Sequence, residues 1–179
     1  MTSVKERNCL WAARTIPMGV DGQTFFGVRS EAGWVVATGS IETHQEVVSA
    51  DVRKLDGRFS LFPGAGPPTL PVALGVGELD EAHSVQRGGG NEVHTFDRPT
   101  GASPTVNLRY GFVVSVKQPG DLARRDVVIA LPLAHQEDPN TLLGLPILNA
   151  NSELVGVVYD TTRVDDGWCL RCAVPPGFS

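Results

Sequence analysis

Two short apolar runs joined by a tight polar turn constrain this chain more than any other feature. Residues 146–148 are Pro-Ile-Leu, 149–153 are Asn-Ala-Asn-Ser-Glu, and 154–159 are Leu-Val-Gly-Val-Val-Tyr. Asn and Ser accept the backbone reversal while the flanking residues suit a half-buried pleat, so the segment predicts a β-hairpin. The same alternation of apolar run and turn recurs along the chain. Runs 23–29, 33–38, 58–62, 106–110, 111–117, 126–131 and 167–174 read as strands, with turn residues between them. Residues 46–53 alternate weakly, and 69–77 are apolar but carry Pro71, which suits an edge strand.

Strands at roughly ten-residue spacing, separated by Gly and Pro, predict an all-β sandwich or a pair of barrels. The 20 glycines and 13 prolines fit that reading, and no long helical periodicity competes with it. Residues 78–104 turn polar and contain Gly88-Gly-Gly90, which marks a long connection between two halves. The expected organisation is an N-terminal arm over residues 1–21, a first β-barrel lobe over 22–95 and a second over 96–179. Within the arm, residues 1–15 are mixed in character and suit a short helix or an extended segment.

Charge and cysteine content narrow the function classes. A net charge of −5 disfavours a nucleic-acid-coating role, and Arg124-Arg125 is only a pair. No run approaches the roughly 18 apolar residues of a membrane span, and the first ten residues hold no apolar signal core. Three cysteines are too few for a disulfide scaffold, and their odd number points to a reducing compartment, the cytoplasm. Cys169 and Cys172 have the spacing of a zinc half-site but lie in an expected strand, where residues three apart face opposite sides. One buried and one surface thiol are expected there, with no metal and no cofactor. His44, His83, His94 and His135 follow no metal spacing and read as exposed loop histidines, and Trp34 and Trp168 read as core.

The segment Gly144-Leu-Pro-Ile-Leu-Asn149 followed by Glu153-Leu-Val-Gly-Val-Val158 resembles the nucleophile region of chymotrypsin-like proteases. In that family a Gly-Asp-Ser-Gly-Gly-Pro segment precedes such a hairpin. Pro146 and Gly144 match it, and the nucleophile position falls on Leu143, preceded by Leu142. Residues 22–28 and 33–41 resemble the first-barrel hairpin that leads into the catalytic histidine, and the register puts Ser40 in its place. The last two runs, 157–174, are similar to the closing strands of picornavirus-type cysteine proteases and the alphavirus capsid protease, which admits a viral origin. The resemblance implies a chymotrypsin-like double antiparallel β-barrel.

It does not bring the chemistry with it. Leucine cannot attack a carbonyl, and serine does not titrate near neutral pH as a base must. His44 lies four residues beyond Ser40, too far along the chain to replace it, while Asp56 and Asp80 are both candidates for the acid. Thr141 is two residues early for a nucleophile, and none of the cysteines follows a Gly-x-Cys-Gly pattern. The expected function is a catalytically inactive domain that binds a protein or an extended peptide, with homo-oligomerisation compatible. Two other readings stand beside it: an active serine or cysteine endopeptidase with a different register, and a ligand-binding sensory domain resembling the GAF family. The loop Leu142, Leu143, Gly144 and Leu145 is the candidate binding element. Its three leucines either fold inward and plug the cleft or form the apolar centre of an interface.

Overall fold

The computed structural model describes residues 11–18, 21–30, 33–42, 52–63, 69–70, 92–96, 108–117, 126–131, 133, 137–149, 153–164 and 167–175. They form two antiparallel β-structures. The first is built from β1 (Trp11–Met18), β2 (Asp21–Ser30), β3 (Gly33–Ala37), β4 (Arg53–Lys54), β5 (Phe59–Pro63) and β6 (Thr69–Leu70). These six strands lie side by side in the order β4-β5-β3-β2-β1-β6. The second is a closed barrel of β7 (Glu92–Phe96), β8 (Leu108–Lys117), β9 (Asp126–Ala130), β10 (Pro146–Leu148), β11 (Leu154–Val164) and β12 (Gly167–Ala173), in the order β10-β11-β12-β9-β8-β7. A short helix α1 (Thr38–Glu42) follows β3, and a 3-10 turn, η1 (Pro139–Leu142), precedes β10.

The hairpin singled out in the sequence is present. Pro146 pairs with Val157 and Ile147 with Gly156, and a bulge precedes the Leu148–Leu154 pair. Asn149 closes the turn by donating its N–H to the Glu153 carbonyl at 2.9 Å, while its side-chain oxygen accepts the Glu153 N–H at 3.0 Å. Asparagine is thus chosen for its amide as much as for its backbone tolerance. In the first sheet the β2–β3 hairpin ends on the pair Ser30–Gly33, and Gly33 has φ 141°, a value that side chains with a Cβ rarely adopt.

Several expectations need correction. Trp11–Met18 is a strand paired with β2 from Ala12–Gly27 to Met18–Asp21, so of the two readings of this stretch the extended one describes it and the helical one does not. Glu92–Phe96 is a barrel strand inside what reads as a polar connection, and it straddles the 95/96 boundary. Leu108–Lys117, which spans parts of the runs 106–110 and 111–117, is one strand, β8. Most of 46–53 and 71–77, together with Cys9, His44, Asp80, His83, Gly88 to Gly90 and His135, lies outside the described residues.

β7 escapes composition because its inward face carries a polar residue. Val93 and Thr95 are both buried, and Thr95 satisfies its hydroxyl by donating to the Pro146 carbonyl at 2.6 Å. That bond and the Leu148–His94 pair join β7 to β10 and close the barrel. His94 is half-buried on this strand rather than exposed in a loop, and burial lowers its pKa. Cys169 and Cys172 are both buried, not one in and one out, and burial raises the Cys169 pKa.

One apolar core links the two β-structures. Val28, Val35, Ala37, Phe59 and Leu61 of the first sheet cluster with Ile129, Leu145, Ile147, Val157 and Leu170 of the barrel. Trp34, Val36, Ile41 and Phe62 form a smaller cluster of their own. β3 is therefore buried on both faces, as a central strand is when each side has its own cover. On the barrel's outer face β8 exposes Tyr110, Phe112 and Val114. Among the described residues α1 and η1 are the only helical pieces, so the flanking helices of the GAF-like alternative have no counterpart there. None of the described helices is long and apolar enough to cross a membrane.

Candidate functional site

The segments that carry the expected base and nucleophile positions, α1 and η1, both pack against β11. β3 runs directly into α1, which carries Ser40. Thr38, at the start of α1, donates its N–H to the Arg58 carbonyl at 2.8 Å, and its buried hydroxyl lies 3.0 Å from that of Ser60. These bonds tie α1 to the β4–β5 hairpin. A Cβ placed on Gly39 would stand 3.9 Å from Leu143 Cδ1 and 3.8 Å from the Tyr159 carbonyl oxygen. The residue beside Ser40 is therefore in near contact with Leu143. Ser40 itself donates its hydroxyl to the Ala37 carbonyl at 2.6 Å, a helix back-bond that occupies the proton.

The Leu143 loop is organised by Asp138. Its carboxylate accepts the Asn140 N–H at 3.0 Å, and Pro139 takes the first position of η1, where its missing N–H costs nothing. The turn then consumes its own donors. Thr141 gives its N–H to the Asp138 carbonyl at 3.0 Å, and Leu143 gives its N–H to the Asn140 carbonyl at 3.3 Å. Gly144, at φ 87°, reverses the chain and donates to the Val158 carbonyl at 2.8 Å. Val158 returns the bond to Leu145 at 3.0 Å, so the loop is laced to β11.

That lacing turns the leucines inward. Leu142 is 5%, Leu143 7% and Leu145 0% exposed, and all three belong to the shared core. The loop expected to face solvent is part of the interior. The three leucines spend their apolar surface on the domain itself.

Asp56 is the one candidate acid among the described residues. Its Oδ1 accepts the N–H groups of Arg58 at 2.7 Å and Phe59 at 2.9 Å, and its Oδ2 lies 3.6 Å from the Arg58 guanidinium. The carboxylate shapes the β4–β5 turn. The described residues hold no group of three or more His, Cys, Asp or Glu placed to bind a metal.

Sequence reasoning missed the aromatic–cation group beside these residues. Tyr159 sits at a bulge in β11, its ring edge-on to Phe59 with centroids 6.0 Å apart. The guanidinium carbons of Arg58 and Arg171 each lie 5.5 Å from its ring centre. These distances are within the range of cation–π attraction. Nothing local signals this arrangement, because Arg58 reaches Tyr159 only when the first sheet packs on the barrel, and Arg171 reaches it by the pairing of β11 with β12. Asp138 is different: Asp-Pro-Asn-Thr is a capping signature visible in the sequence itself.

No family model matches the chain, and no curated protein matches its sequence. Among solved structures, the crystal structure of tobacco vein mottling virus protease superposes with a TM-score of 0.52 over 99% of this chain and 82% of that one, at 10% sequence identity. At so low an identity the likeness is one of fold. The molecule has the all-β architecture of a chymotrypsin-like protease, with one closed barrel and a second six-stranded sheet.

Proposed function

We propose that this chain is a chymotrypsin-like domain without peptidase chemistry, acting as a protein-binding module that takes an extended peptide. The observation that carries the reading is Leu143: an unreactive side chain, buried in the core, at the position that the resemblance assigns to the nucleophile. Two further features support it. Acyl transfer of this type uses the N–H of the nucleophile and of the residue two before it to stabilise the oxyanion. Here the equivalents, Leu143 and Thr141, are bonded inside η1. The base position holds Ser40, whose hydroxyl is engaged by Ala37.

Peptide capture needs none of these groups. β10 covers β11 only as far as Val157, and the Gly144 and Leu145 bonds extend the cover to Val158. From Asp160 to Val164 the described strands pair with β11 on the β12 side alone. A strand edge without a second partner among the described residues is a candidate for β-addition, with main-chain bonds giving affinity and side-chain pockets selectivity.

The expected result is that no member of a broad peptide mixture is cleaved, read by mass spectrometry. Cleavage abolished by a single Ser, Thr or Cys substitution overturns the proposal. A second expectation separates side-chain loss from backbone loss. The double substitution Ser40→His with Leu143→Ser restores a base and a nucleophile yet gains no measurable phosphonylation by a fluorophosphonate. Losing one oxyanion donor costs about 10²–10³ in rate, and here both are withheld. Burst labelling of that variant contradicts the role given to η1.

A further inference from the structure

We infer that residues 137–146 form a strap held closed on β11 by a two-point clamp, whose jaws are Thr95 and Arg109. These two stand directly opposite one another in the β7–β8 ladder, where paired side chains share a face. On β8, Arg109 alternates with the outward Tyr110, Phe112 and Val114 and so lies on the side of the buried Gly111 and Val113. Each jaw grips one end of the loop. The Arg109 guanidinium donates to the Glu137 carboxylate at its start. The Thr95 hydroxyl donates to the Pro146 carbonyl at its finish. Between those points the N–H groups of Asn140, Thr141, Leu143 and Leu145 are bonded within the loop, while Gly144 and Leu145 exchange bonds with Val158. A segment with its ends drawn together and its turns bonded internally opens as one unit.

The two grips differ in kind. Thr95 is 0% exposed, so its bond lies in the core, where stripping the Pro146 carbonyl of its donor is costly. The Arg109 and Glu137 side chains keep 19% and 35% of their exposure, so water and salt reach their ion pair. Thr95 is accordingly the fixed point and the Arg109–Glu137 pair the releasable catch. The consequence falls on β11. The closed strap occupies both main-chain groups of Val158, just before the Asp160–Val164 stretch. Releasing it uncovers those groups and lengthens the strand edge offered to an added peptide. That last step rests on the peptide-binding reading above, whereas the clamp itself does not.

The test is amide hydrogen exchange of the full chain, resolved by residue with NMR. It uses no peptide, so its outcome is independent of whether the domain binds one. The probes are the N–H groups of Gly144 and Val158, and the β12–β9 ladder is the reference. Arg109→Gln and Glu137→Gln should each speed exchange at the probes by about twofold to fivefold, the yield of one partly exposed ion pair. The double substitution should add nothing to either alone, because both remove the same contact. Added salt should bring the parent toward the Arg109→Gln rate. Thr95→Val should speed the probes by about fivefold to a hundredfold, and Thr95→Ser, which keeps the hydroxyl, should stay closer to the parent. The reference amides should hold their rates in the Arg109 and Glu137 variants. Probe rates that those two substitutions leave unchanged overturn the proposal. Equal acceleration of probes and reference overturns it as well, because that pattern is a general loss of stability and not release of a strap.

Discussion

Leu143→Asp is expected to destabilise the domain by about 2–5 kcal/mol, the range for a disrupted core site into which a polar group is forced. Leu143 is 7% exposed and packs with Leu142, Leu145 and the barrel residues Ile147 and Val158 in one cluster. A carboxylate there meets no spare backbone donor from Thr141, Leu143 or Gly144, whose N–H groups are already bonded to Asp138, Asn140 and Val158. The change should appear as a melting temperature lowered by roughly 4–20 °C, using about 2–4 °C per kcal/mol for a chain of this size. An unchanged melting temperature accompanied by loss of self-association or partner capture would show that the loop is an interface, against the burial seen here. Leu143→Met keeps the volume and should cost less than about 1.5 kcal/mol, so polarity and size effects separate.

Gly27→Ala should be nearly as damaging, for a steric reason. A Cβ on Gly27 would stand 2.3 Å from the Val35 carbonyl oxygen and 2.7 Å from Val36 Cγ1. The first of these is backbone, so no side-chain rotation relieves it. Gly27 pairs with Ala12 on one side and Val36 on the other, at the middle of the first sheet. The β2–β3 ladder must part or shift, at a cost of at least about 1–3 kcal/mol. Because β3 leads into α1, the displacement should also alter hydrogen-exchange protection at Thr38, whose N–H is held by the Arg58 carbonyl. Gly57, with open space around it, is the control: Gly57→Ala should leave the stability within about 0.5 kcal/mol of the parent. A Gly27→Ala protein as stable as the Gly57→Ala one would show that the sheet can yield at this point.

The two β-structures differ in how far they could be foreseen. Strands such as 111–117 and 126–131 declare themselves through local composition, and the 146–159 hairpin through its turn residues. β1 and β7 do not. Ala12, Ala13 and Arg14 have no strand preference of their own and become a strand by pairing with β2. Glu92–Phe96 sits in a polar stretch, and its buried Thr95 is tolerated only because the Pro146 carbonyl, 51 positions away, accepts its proton. Tertiary partners override local propensity at both places.

The candidate site divides in the same way. That Leu143 and Ser40 carry no nucleophile and no base is a matter of covalent identity, readable without any fold. So are the β-rich runs, their turns and the Asp138-Pro139 cap, because each depends on neighbours within a few positions. The inward packing of three leucines, the engagement of the Thr141 and Leu143 N–H groups, and the meeting of Arg58, Tyr159 and Arg171 belong to the tertiary structure. They follow from barrel closure and from the packing of one sheet on the other. Contacts between residues a hundred positions apart leave no periodic trace in the chain, because burial and distance are properties of the closed structure rather than of any segment within it.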